Sequence, residues 1–315
     1  MSDSNRENIW DLFGVKPPRL NVDWNAQINT LRQGFAHAAK AIETGVPDMA
    51  HTEDLVIDGA GAKIEARAYT PLAAGVPPGP GLVYLHGGGF VLGDIESFDS
   101  ICRRIADASR CRVLSVNYRL APEHKFPTAH DDAVAAYGWA AHNAEKWGVD
   151  PTRLAVGGDS AGGNLAIHIA QSFKNDPQFG VKFLLLIYPL AQFADIRQKG
   201  LKFQEGSFFS PTFFELFRDA YLPEGQDPME PRISPLFAED VTGLPTTHVL
   251  TAGWDPLRDE GRAFAGRLAS HGIRVTERDY PNQMHGFFNT TAVSASAREA
   301  ISEAGRVVGR ALGAI

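Results

Sequence analysis

The stretch from Arg153 to Ala170 reads RLAVGGDSAGGNLAIHIA. A short apolar run, Leu154 to Val156, leads into a turn built almost wholly of glycine and small residues, and the pattern from Ala161 onward is helical. Strand, tight turn and helix in that order put Ser160 at the apex. Its frame, Gly158-Asp159-Ser160-Ala161-Gly162, has the form G-x-S-x-G. On so sharp a turn the helix passes close to the strand, so the positions two before and two after the serine must lack side chains. The strained turn pushes the hydroxyl away from the sheet. It also sets the serine at a helix N-terminus, where free N–H groups and the positive end of the dipole favour negative charge. Turns of this kind also serve packing alone, so the rest of the chain must decide.

Outward from this unit the chain alternates. Apolar runs at Leu82 to Leu85, Val113 to Val116, Phe183 to Ile187, Thr246 to Leu250 and Ile273 to Tyr280 are separated by helical patterns near residues 98–109, 127–146, 161–174, 257–271 and 293–312. Such alternation predicts βαβ units and a mostly parallel sheet covered on both faces. Upstream, Thr52 to Ile57 and Ala62 to Tyr69 flank Asp58-Gly59-Ala60-Gly61 and read as a β-hairpin. With the hairpin, the α/β fold is expected to contain about eight strands.

Two regions fall outside the alternation. Residues 1–50 are helical in pattern, with Trp10, Phe13, Leu20, Trp24, Ile28, Leu31 and Phe35 among polar neighbours, and Pro47 closes them. A lid, a dimer arm and simple packing all fit. The segment from Leu190 to about Pro235 carries Phe193, Phe203, Phe208, Phe209, Phe213, Phe214, Phe217 and Tyr221 and reads as an insertion between two strands. Ligands of open α/β sheets bind outside the carboxyl ends of the strands, so the insertion is placed to roof that edge. Most of its rings are expected to form a core of its own. The expected division is 1–50, then 51–189 with 236–315, and 190–235 inserted between them.

Composition excludes several classes. At 315 residues the chain can bury a large core. It is 44% apolar and 21% charged, and 30 basic against 37 acidic residues give a net charge of −7. With the signs interspersed, no basic face invites nucleic acid or an anionic membrane. The first ten residues, MSDSNRENIW, lack a basic segment followed by an apolar run, so no secretory signal is read. The apolar run Phe183 to Leu190 is far too short to cross a bilayer. A cytoplasmic protein is expected. Cys102 and Cys111, without a CxxC or a histidine cluster, read as reduced core thiols.

A serine hydroxyl is a poor nucleophile unless a base takes its proton and a third group holds that base in one tautomer. In the chain order Ser…Asp/Glu…His, the histidine follows the serine, leaving His248, His271 and His285. His248 lies inside the strand TTHVL and His271 ends a helix before Gly272. His285 follows the strand ending at Tyr280 and a short loop, Pro281 to Met284, with Gly286 next to allow a turn. It alone is expected at the same edge as Ser160. For the acid, Asp255 closes VLTAGWD at a strand's carboxyl end; it also fits a helix cap before Pro256. Asp259 and Glu260 are weaker candidates one turn on. His86-Gly87-Gly88-Gly89 follows the strand LVYL, and bare backbone there can donate to a substrate oxygen. Gly88, Gly89 and the N–H of Ala161 are the expected donors. There is no HExxH, Walker A or strand-borne G-x-G-x-x-G, so no metal or other cofactor is expected.

HGGGFVLGD (86–94), YRLAPEHKFP (118–127), GDSAGGNLA (158–166), DPLRDEG (255–261) and HGFF (285–288) together resemble the bacterial hormone-sensitive-lipase-like carboxylesterases, the family with the GDSAG elbow. The resemblance runs in register from about residue 50 to the end. It implies an α/β-hydrolase fold, Ser160 as nucleophile, His285 as base and acid, Asp255 as its orienter, and Gly88, Gly89 and Ala161 as oxyanion donors. It further implies a helical cap formed by the N-terminal segment and the insertion, and hydrolysis of short- to medium-chain esters without a cofactor. Trp254, where a smaller or phenolic residue is usual, and Asn282-Gln283, where a glycine often stands, are departures that bear on the pocket. A small ester is thus the expected partner, and the C-terminal helix leaves a homodimer open. Amidase, peptidase and lactonase chemistry use the same machinery. A non-catalytic receptor on this fold usually lacks a triad member, whereas all three candidates are present.

Overall fold

A computed structural model of the chain describes residues 24–40, 45–194 and 211–315. One sheet of eight strands runs in the order β1-β2-β4-β3-β5-β6-β7-β8. The hairpin strands are β1 (Met49–Asp58) and β2 (Lys63–Pro71). They are followed by β3 (Gly79–Leu85), β4 (Arg112–Asn117), β5 (Val149–Asp159), β6 (Leu184–Ile187), β7 (Thr247–Trp254) and β8 (Val275–Met284). The pairs β1/β2 and β2/β4 are antiparallel; from β4 through β8 every pair is parallel. The expected α/β-hydrolase arrangement is present. Every residue of β3 and β6 is buried, as parallel strands covered on both faces require.

Among the described residues seven α-helices accompany the sheet: α1 (Trp24–Lys40), α2 (Asp99–Ser109), α3 (Thr128–His142), α4 (Ala161–Ser172), α5 (Pro211–Tyr221), α6 (Arg258–Ser270) and α7 (Ala295–Ala311). A Cβ on Gly305 would lie 2.8 Å from Ala108 Cβ, so α7 and α2 approach closely only because that residue is glycine. Among the described residues no helix is long and apolar enough to cross a membrane. Cys102 and Cys111 are buried and unbridged.

The chain leaves β3 toward β4 on one side and returns to β5 on the other. That reversal opens a crevice at the carboxyl ends, where His86, Ser160, Tyr188, Asp255 and His285 follow β3, β5, β6, β7 and β8 directly.

One sequence expectation needs correction, and another falls mostly on residues outside those described. Pro281 to Met284 is not a loop: β8 runs on to Met284, with a register shift against β7 between Ala252 and Trp254. The irregularity absorbs the proline there, and a Cβ on Gly253 would meet Pro281 O at 2.0 Å, so only glycine admits it. Nor do the described rings between β6 and β7 form a separate core. Phe193, Phe217 and Tyr221 are buried in the same cluster as the sheet, because they meet Phe90 and Gly89 of the loop after β3. Trp10, Phe13, Leu20, Phe203, Phe208 and Phe209 lie outside the described residues, as do the side chains of Trp24, Phe213 and Phe214. On α1, Ile28, Leu31 and Phe35 are buried, and Arg32 donates to Val91 O and Ala121 O while pairing with Glu123.

Candidate active site

Ser160 stands between β5 and α4 with φ 55° and ψ −118°, a conformation a side-chain-bearing residue holds only when its surroundings over-determine it. Here they do. Ser160 N–H donates to Ile187 O at 2.9 Å, and its carbonyl accepts from Leu190 N–H at 3.0 Å and Asn164 N–H at 3.2 Å. A Cβ on Gly162 would lie 1.9 Å from Leu85 O, and one on Gly158 would lie 2.5 Å from the same oxygen. The two glycines of the motif are therefore required by the close approach of α4 to β3 and of β5 to both.

The three residues expected to act together meet. His285 Nε2 is 2.9 Å from Ser160 Oγ and His285 Nδ1 is 2.8 Å from Asp255 Oδ2. A carboxylate only accepts, so Nδ1 carries the proton toward Asp255 and Nε2 faces the serine hydroxyl. Asp255 Oδ1 accepts from Leu257 N–H at 2.7 Å. One oxygen thus fixes the turn that leads into α6 and the other orients the imidazole; the N-cap of α6 is Leu257, so Asp255 is not the helix cap the sequence also allowed. His285 is held from behind as well: Gly286 (φ 72°) turns the chain, and the ring of Tyr188 meets the imidazole edge-on at 4.9 Å. His248 bonds Thr276 Oγ1 within the sheet, and His271 caps α6; neither reaches Ser160.

The glycine loop after β3 is shaped by residues that motif reading leaves blank. Gly88 (φ 107°) and Gly89 (φ 63°) are left-handed, and a Cβ on Gly88 would lie 2.2 Å from Leu92 O. Asp159 Oδ1 accepts from Gly87 N–H and from Tyr84 O–H, each at 2.8 Å. The "x" before the nucleophile therefore ties the glycine loop to the elbow. Burial pushes the Asp159 carboxyl up to about 6 against those two donors. His86 donates through Nδ1 to Gly87 O at 2.7 Å and stacks on Tyr118 at 4.3 Å, whose hydroxyl donates to His86 O. Burial lowers His86 to about 4, so its ring is neutral at neutral pH. The motifs at 86–94 and 118–127 are in this way two sides of one scaffold.

Glu260, weighed from sequence as an alternative acid, does something else. Its Oε1 accepts from Ala191 N–H (2.7 Å) and Gln192 N–H (3.2 Å), and Oε2 from the Gln192 amide (2.8 Å). Burial pushes this carboxyl up to about 8 despite the three donors, with Asp255 adding to the rise. Glu260 clasps the chain where it leaves β6. Asp259 has no part in the serine–histidine chain. Sequence reading also passed over Asn164, whose Nδ2 donates to Leu190 O and Ile233 O, each at 2.9 Å. A buried asparagine one turn into the helix after the serine was the available signal. Among the described residues no group of three or more His, Cys, Asp or Glu side chains is placed to hold a metal ion.

A parallel sheet with this elbow and this strand order is that of an α/β hydrolase. Comparison with known proteins narrows the class. The family profile described as alpha/beta hydrolase fold matches residues 82–289, and the chain belongs to that family, among the hormone-sensitive-lipase-like carboxylesterases. It is similar to the carboxylic ester hydrolase LipN of Mycobacterium tuberculosis, with 40% identity over 86% of this chain and 73% of the relative. It is 35% identical to an ethyl acetate hydrolase of Pseudomonas putida over 71% of this chain and 70% of that one. An alpha/beta hydrolase enzyme from the metagenome of Lake Arreo superposes with a TM-score of 0.86 at 42% identity, covering 94% of this chain and 92% of the other. A Pyrobaculum calidifontis esterase gives 0.84 at 36% identity, covering 93% and 94%.

Proposed function

We propose that the chain is a serine carboxylesterase that hydrolyses short- to medium-chain acyl esters through an acyl-enzyme. The observation that carries this reading is the continuous hydrogen-bonded series from Ser160 Oγ through His285 to Asp255, on a serine held at positive φ. Its relatives with names for ester hydrolysis support the substrate class.

In the proposed sequence Ser160 Oγ attacks the ester carbonyl carbon as its proton passes to His285 Nε2. The carbonyl oxygen takes the electron pair and is held by the N–H groups of Gly88, Gly89 and Ala161. Collapse expels the alcohol, which leaves with the proton from Nε2, and the acyl group stays on Oγ. Water then repeats the steps: His285 takes its proton, hydroxide adds to the acyl carbon, and the acid departs as Oγ is reprotonated. Asp255 keeps Nδ1 protonated and stabilises the imidazolium formed on the way. The segments 1–50 and 190–235, which lie partly outside the described residues, are proposed as the cap of this site, and the short-chain preference as set by the depth the cap leaves. Initial rates on p-nitrophenyl esters of increasing acyl length test the proposal. Turnover of short to medium chains that vanishes in Ser160→Ala is expected; equal rates in both proteins overturn it.

A further inference from the structure

The end of α5 rests on the glycine loop. A Cβ on Gly89 would lie 2.1 Å from Cδ1 of Phe217, so that ring covers the bare face of a proposed oxyanion donor. The next residue, Phe90, is also left-handed at φ 64°, which for a residue with a side chain costs energy that its surroundings must offset. Its ring is stacked on Tyr221 with centroids 4.0 Å apart and 14° between the planes, and its carbonyl accepts from Ala121 N–H at 2.9 Å.

Tyr221 is itself pinned. Its carbonyl accepts from Phe126 N–H at 2.9 Å, and Lys125 Nζ donates to Asp219 O and Leu222 O, each at 3.0 Å, closing the helix end. Its hydroxyl is 2.7 Å from His130 Nδ1. On the other side of that ring, Nε2 faces two acceptors, Asn164 Oδ1 at 2.9 Å and Arg232 O at 2.8 Å. Nε2 therefore carries the proton, and Nδ1 accepts from Tyr221. Asn164 in turn donates its backbone N–H to Ser160 O. The contacts form a continuous path from Ser160 through Asn164, His130, Tyr221 and Phe90 to Gly89. Tyr221, His130 and Asn164 are fully buried, so substrate does not touch them.

We propose that Tyr221 is a positioning residue for the reaction: through Phe90 it holds the Gly88–Gly89 turn at the separation from Ser160 that the tetrahedral intermediate needs. The inference rests on the serine-esterase reading and extends it. The segment between β6 and β7 then sets the rate of the chemical step as well as the choice of acyl chain.

The test compares wild type, Tyr221→Leu, Tyr221→Phe, Phe90→Leu and Ser160→Ala on p-nitrophenyl acetate, butyrate and octanoate. Inactivation by a p-nitrophenyl alkylphosphonate, whose tetrahedral adduct places an oxygen at the same donors, is measured alongside, with circular dichroism and melting for each protein. Tyr221→Leu is expected to lower kcat by about 10- to 100-fold, as a displacement of order 1 Å does. That loss stays short of the ~10²–10³ for losing a donor outright. The factor is the same on all three esters, KM changes little, and phosphonylation slows in parallel. Tyr221→Phe keeps the ring, melts lower and restores most of kcat. Phe90→Leu removes the same stack from the other side, so it supplies the answer if Tyr221→Leu does not fold. An unchanged kcat, or a KM change that depends on chain length, overturns the proposal. Activity remaining in Ser160→Ala would instead overturn the esterase reading beneath it.

Discussion

Asp255 shows how one side chain carries two duties in this site, because its two oxygens face different donors. Asp255→Asn keeps an acceptor for Leu257 N–H but presents no carboxylate to His285. We expect kcat to fall by about 10⁴ with the melting temperature nearly unchanged; a loss of activity that tracks a loss of fold would contradict this division. Glu260 makes a different prediction. Its folded value of about 8 lies above the ordinary 4.5, so between those values the folded chain holds a proton that the unfolded chain has lost. Stability from this group is complete below about 4.5 and lost as pH rises through 8. Over pH 6.5 to 8 the wild-type melting curve should therefore fall relative to that of Glu260→Gln, and parallel curves would refute the assignment.

The elbow and the loops around it follow from close approaches that single atoms decide. Gly162→Ala would drive a Cβ to 1.9 Å from Leu85 O and should cost about 3 kcal/mol or more, read as a large drop in the denaturation midpoint. Asp132, fully buried, accepts from Arg119 and from Ala60 N–H, tying the hairpin to the 118–127 motif. Arg119→Ala leaves that carboxylate without its cation and should cost about 3 kcal/mol, toward the low end for a broken buried pair because Ala60 N–H remains; urea unfolding measures it. These elements also separate what was legible in the sequence from what was not. The strands, the elbow and the meeting of Ser160, Asp255 and His285 were legible because period, small residues and strand ends leave local marks. The extension of β8 past Pro281 was not, since a proline normally ends a strand and the bulge at Gly253 is set by the neighbouring strand. Asp159 and Tyr221 also passed unread: their roles are contacts across long sequence separations, with no spacing to betray them. Glu260 was visible as an acid but not as a clasp, because its partners come from another segment.

Across the whole molecule, buried titratable groups set the pH range. Burial lowers His86, His130, His168 and His248, while it raises Asp159 and Glu260. Below about 6.5 the unfolded histidines take up protons that the folded chain refuses, so their stabilisation is lost as pH falls. The two carboxyls work the other way, but they are outnumbered, and the melting temperature should decline from pH 6.5 to 5. Calorimetry showing a rise there would contradict the balance. The same architecture gathers the ends of five strands into one crevice, and the central claim is that chemistry there passes through Ser160. The direct measurement is mass spectrometry of peptides from enzyme quenched during turnover of p-nitrophenyl butyrate, for wild type and Ser160→Ala. The account predicts a butyryl group on the peptide containing Ser160 in wild type and none in the variant, which is also inactive. A butyryl group on another residue, or turnover in Ser160→Ala, would contradict it.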